Sequence, residues 1–100
     1  MVTKTIAERH HAKRRAEERY GIQLGQHYRK ICNLIGAQFV GNTILRDQHE
    51  ENGILVRFLK KESNSRSRWE VSVPGKWAST IKVVYDRWRR ELVTILPTDL

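Results

Sequence analysis

The sequence predicts an α+β fold in one domain, 1–100, with two N-terminal helices packed on one face of an antiparallel sheet. Three observations carry this. Apolar residues at helical spacing are confined to the first third of the chain. After Gly36 the pattern shortens to that of strands. The elements come in runs, helices first and strands after, rather than alternating as a parallel α/β sheet requires.

The first helix is expected from about Ile6 to Tyr20. Thr5 followed by Glu8 fits a capping box, and Gly21 is placed to end the helix in a left-handed conformation. Ile6, Ala12, Ala16 and Tyr20 make a narrow, mostly small apolar stripe beside a wide polar face. In the second helix, roughly Leu24 to Ile35, the residues Leu24, Tyr28, Ile31 and Ile35 repeat at helical spacing, and Gly36 closes it.

Strands follow. Gln38–Leu45 is rich in β-branched and aromatic residues, and 47–53 reads as a polar connection ending in an Asn-Gly turn signal. Ile54–Leu59 is a second strand, and Lys60–Arg68 an exposed basic loop with three serines. Arg68–Val73 alternates strictly, with Trp69, Val71 and Val73 on one face. Pro74-Gly75 marks a turn. Thr80–Tyr85 and Glu91–Leu96 are the clearest strands, joined across Asp86–Arg90 as an antiparallel hairpin and stopped by Pro97.

The chain is strongly basic: 19 Lys and Arg against 11 Asp and Glu give a formal charge of +8. That balance favours a polyanionic partner, nucleic acid first. At 100 residues, folds of the size of a TIM barrel are excluded. Cys32 is the only cysteine, so intramolecular disulfides are impossible and a cysteine-based zinc site lacks ligands. Cys32 itself reads as a small buried hydrophobe. No run reaches the 18–20 apolar residues or so of a membrane span, and Met1–Arg15 lacks the apolar segment of a signal peptide. The expectation is a cytoplasmic protein with no cofactor and no metal, either a monomer or a small homo-oligomer.

Three constellations carry chemistry. His11, Arg15 and Glu18 fall at i, i+4 and i+7 on one helix face, flanked by His10 and Arg19, with Arg14 and Arg19 as expected nucleic-acid-binding residues. Histidine can act as acid or base near neutrality and Arg can fork onto phosphate; an ordinary solvated face is the alternative. Tyr85 and Thr94 place hydroxyls in neighbouring strands, where plain β-propensity is the alternative. Finally, Lys60, Lys61, Arg66 and Arg68 surround the serine-rich loop, while Arg87, Arg89 and Arg90 surround Trp88. Arginine beside an aromatic suits single-stranded nucleic acid, against the alternative of a Trp88 folded back onto the sheet.

His11-Ala12-x-x-Arg15-x-x-Glu18-Arg19-Tyr20-Gly21-Ile22, together with Val83-Val84-Tyr85-Asp86 and Leu92-Val93-Thr94-Ile95-Leu96-Pro97, resembles the two ends of RelE-like toxins in the barnase, EndoU, colicin and RelE group. The resemblance covers about a third of the chain. It implies a curled sheet and metal-independent cleavage of RNA with the 2′-hydroxyl as nucleophile. Carried over by motif position, His11, Arg15, Glu18, Tyr85 and Thr94 become the catalytic set. An antitoxin or a host target is the protein partner that goes with it. The expected function is thus a small RNA-binding protein, with an endoribonuclease or toxin as its catalytic form. The alternative is a non-catalytic phage or bacterial protein that binds nucleic acid or inhibits a host protein.

Overall fold

A computed structural model describes the backbone from Val2 to Pro97 and the side chains from His11 to Pro97. The elements are α1 (Val2–Tyr20), α2 (Tyr28–Gly36), β1 (Phe39–Val40), β2 (Thr43–Ile44), β3 (Gln48–Glu51), β4 (Ile54–Lys61), β5 (Arg66–Ser72), β6 (Ile81–Asp86) and β7 (Glu91–Leu96). Strands β3 to β7 form one open sheet in chain order, every pair antiparallel. Strands β1 and β2 make a separate small hairpin. The α+β expectation holds. Among the described residues no helix is long and apolar enough to cross a membrane.

Helix α1 begins earlier than the Thr5–Glu8 signal placed it, and the side chains of that capping box lie outside the described residues. At its other end the Gly21 N–H reaches Glu17 O and the Ile22 N–H reaches Ala16 O, with Gly21 at φ 66°. This closure satisfies carbonyls that the last turn would otherwise orphan. Ala12 and Ala16 are fully buried. Their small side chains let α1 lie close along β7, the last strand of the sheet. The Arg19 guanidinium donates to Ile95 O, and the Tyr20 hydroxyl donates to Leu96 O at 2.7 Å. Unpaired carbonyls on the β7 edge are thereby covered, which removes a template for pairing with other chains.

Helix α2 starts at Tyr28 rather than Leu24. Gly25, a poor helix residue, sits in a turn closed by the His27 N–H on Leu24 O at 2.9 Å. Leu24 stays in the core without being helical. The predicted strand 38–45 becomes the short β1–β2 hairpin. Segment 47–53, expected to be a connection, contains β3; its Gln-His-Glu-Glu sequence carries no apolar alternation because it is an exposed edge strand. Asn52 and Gly53, at φ 54° and 78°, make the two-residue turn into β4.

Directly paired residues share a sheet face. Phe58, Trp69, Val83 and Ile95 form one cross-strand row, and Lys61, Ser67, Tyr85 and Leu92 another on the same side. That side is the core: Trp69, Val71, Val83, Tyr85, Leu92 and Ile95 are almost completely buried with Ile31, Cys32 and Ile35 of α2.

Candidate nucleic-acid interface

The outer face of the sheet carries a different row. Lys60 pairs with Arg68, Arg68 with Val84, and Val84 with Thr94. Thr94 Oγ1 lies 3.4 Å from His11 Nε2 on α1, both partly buried. The row therefore runs across four strands to an imidazole, roughly 15 Å from Lys60 to Thr94 at the normal strand spacing. Arg68 is held to Glu62 beside it. Arg15 and Glu18 pair with each other at 3.0 Å on the exposed face of α1. Arg14 is exposed, while Arg19 is committed to Ile95 O.

Tyr85 does not join this group. Its register partners are Ser67 and Leu92, so it points to the core face, opposite Thr94. It is 1% exposed, and a Cβ on Gly36 would stand 2.8 Å from its hydroxyl. Burial pushes the phenol up to about 12, with Cys32 adding to the shift. Tyr85 thus keeps its proton at neutral pH and can act there only as a neutral donor. The structure brings His11 and Thr94 together and separates them from Tyr85. Cys32 is buried as expected, and burial raises its thiol to about 11.

Two loops meet at one end of the sheet. The Arg87 N–H donates to Ser65 O and its guanidinium to Asn64 O at 2.9 Å, tying the 87–90 turn to the serine-rich loop. Asp86 builds that turn. Its Oδ1 accepts the N–H groups of Trp88 and Arg89 at 3.0 and 3.1 Å, and its Oδ2 faces Arg66 Nε at 3.4 Å. Trp88 is 69% exposed and does not fold back onto the sheet. Lys60, Lys61 and Arg90 are exposed as well. The basic residues expected around both loops therefore cluster at one end, with a bare indole among them.

On the core side of this end a cleft of about 600 Å³ opens between α2, the β1–β2 hairpin and the 87–90 turn. Arg29, Arg87 and Arg90 stand in its wall, with Asn33, Phe39 and the Tyr85 side chain. Arg29 Nη2 also donates to the buried Glu91 carboxylate at 3.0 Å. Sequence reasoning missed Arg29, Asn33 and Phe39. A signal existed in Arg29, Asn33 and Gly36, which repeat at i, i+4 and i+7 on the polar side of α2. The apolar repeat of the same helix drew attention instead.

Among the described residues, no three His, Cys, Asp or Glu side chains gather as a metal-binding group would. Comparison of the chain with protein-family models, curated proteins and solved structures found no match to any of them.

Proposed function

We propose that this protein binds single-stranded RNA through the basic end of its sheet. The observation that carries this reading is the exposed Trp88, set among Arg87, Arg89 and Arg90 and tied through Arg87 to the 62–65 loop, which joins β4 to β5 where 60–68 was expected to be loop throughout. An indole offers a stacking surface for any base, and arginines and lysines beside it meet the phosphates. The row Lys60, Arg68, Thr94 and His11 extends the same basic surface across the outer face of the sheet. The resemblance to RelE-like ribonucleases supports RNA over DNA as the ligand.

Fluorescence anisotropy with a labelled single-stranded RNA tests it. Affinity should fall steeply as salt rises, because neutralised phosphates release counterions. Trp88→Ala should weaken binding by about tenfold, one base stack being worth roughly 1–3 kcal/mol. Binding that ignores salt, or a Trp88→Ala protein with wild-type affinity, would overturn the reading and leave a protein target as the partner.

A second reading concerns cleavage, and the 3.4 Å approach of His11 to Thr94 favours it. Cleavage by the 2′-hydroxyl needs a base, an acid and a cation at the phosphate. In this reading His11, steadied by Thr94, takes the 2′-hydroxyl proton as that oxygen bonds to phosphorus, the 5′-oxygen leaves with a proton from solvent water, and Arg15, released from Glu18, is the cation that faces the phosphate. RNA incubated with the protein in EDTA should be cut, and His11→Ala should lower the rate by 100-fold or more, the usual order for a lost acid–base group. Equal rates in both proteins would remove His11 from any chemistry.

A further inference from the structure

We infer that the cleft between α2 and the 87–90 turn takes a terminal phosphate of a nucleotide, as a phosphomonoester. The inference rests on the RNA-binding reading and adds to it a pocket that shares Arg87 and Arg90 with the basic end, on the sheet side away from His11 and Thr94. Four observations converge. The cleft, at about 600 Å³, falls in the range of small-molecule sites and is larger than a single ion needs. Its wall has three arginines and, among the described residues, no carboxylate. The Arg87 guanidinium is held in place by its hydrogen bond to Asn64 O. Neutral donors complete the wall in Asn33 and the protonated Tyr85.

Charge decides between a chain end and an internal linkage. An internal phosphodiester carries one negative charge. A phosphomonoester carries nearly two at neutral pH and a third terminal oxygen for hydrogen bonds. Arginine forks bind such an oxygen set two at a time. Arg29 is partly neutralised by Glu91, so Arg87 and Arg90 supply the larger share of the attraction. The Asp86 carboxylate builds the turn that presents them while its own oxygens face backbone N–H groups and Arg66.

Arg90 allows a clean test. It sits at φ 58°, a left-handed conformation that favours glycine. Arg90→Gly therefore removes a cleft guanidinium at a position where the backbone gains. Lys76→Gln, an equal loss of charge at an exposed residue away from the cleft, is the control. Binding is measured for RNA oligomers ending in 5′-phosphate, 3′-phosphate or hydroxyl only, with adenosine 5′-monophosphate and inorganic phosphate as competitors. One phosphate-ended oligomer should bind about tenfold more tightly than the hydroxyl-ended one, the worth of a charge-assisted hydrogen bond. Arg90→Gly should erase that advantage and Lys76→Gln should keep it. Equal affinity for all three ends, or an advantage that survives Arg90→Gly, overturns the site. If the hydroxyl-ended oligomer still binds with a steep salt dependence, only the cleft assignment has failed. If the monophosphate binds and no oligomer does, the cleft stands and the RNA-binding reading has failed. Competition by inorganic phosphate equal to that of the monophosphate would mark a plain anion site and overturn the nucleotide assignment.

Discussion

Trp69→Ala is expected to destabilise the protein by about 3–5 kcal/mol, the usual range for deleting a large buried aromatic ring. Trp69 is fully buried in β5, the central strand of the five-stranded sheet. Its ring meets Phe58 at 5.5 Å and Phe39 at 6.1 Å, both edge-on, so one side chain joins the sheet to the β1–β2 hairpin. Its Nε1–H donates to the buried Ser67 hydroxyl at 2.8 Å. Truncation would remove both ring contacts, open a cavity and take away the Ser67 partner. Domains of this size are stable by only about 5–15 kcal/mol, so the loss is a large share of the total. Urea unfolding followed by circular dichroism gives the number. Trp69→Phe, which keeps a ring and loses the N–H, should cost far less. A loss below about 1 kcal/mol for Trp69→Ala would show that this core is not organised around β5.

Much of that core is legible in the sequence, because Trp69, Val71 and Val73 alternate and their partners alternate with them. The strong periodicities of α2, β5, β6 and β7 likewise identify real elements. Two failures have specific physical causes. Strand β3 has no apolar side to announce it, since an edge strand with both faces exposed leaves no period in hydropathy. The Tyr85–Thr94 pairing is subtler. A regular hairpin closed at Asp86 and Glu91 would set Thr94 opposite Val83, on the same face as Tyr85. A register shift between Val84 and Tyr85 sets Thr94 opposite Val84 instead. One unpaired residue, Val93, thus moves Thr94 to the outer face beside His11 and leaves Tyr85 in the core. Nothing in Leu92-Val93-Thr94 states that bulge. The cleft is harder still to foresee, because Arg29 comes from a helix more than 50 residues away from Arg87 in sequence, and only the tertiary fold places them together.

Glu91→Gln is expected to weaken the fold and tighten anion binding at once. Glu91 is 4% exposed at the start of β7. One carboxylate oxygen accepts the Tyr28 hydroxyl at 2.5 Å and the other accepts Arg29 Nη2 at 3.0 Å. The Tyr28 oxygen in turn accepts the Leu92 N–H at 3.1 Å, so the cluster ties α2 to β7. Burial and the Glu91 contact both hold the Tyr28 phenol well above its ordinary range. Glutamine has one acceptor oxygen where Glu91 uses two, so it can accept from Tyr28 or from Arg29 but not from both, and its amide NH2 then faces the other donor. A lost hydrogen bond to a charged group is worth about 1.5–3 kcal/mol, and solvent at Arg29 softens it, so the loss should be about 1–3 kcal/mol. Arg29 is half exposed, which keeps the figure below that of a fully buried ion pair broken on one side. The same substitution removes the negative charge that offsets Arg29 in the cleft wall. A phosphomonoester should therefore bind several-fold more tightly to the less stable protein. Paired measurements of urea unfolding and monophosphate affinity test both halves. Stability and affinity falling together would mean that Glu91 serves the cleft by positioning Arg29. A fall in one and a rise in the other is the signature of a carboxylate that holds the fold together at the expense of the site.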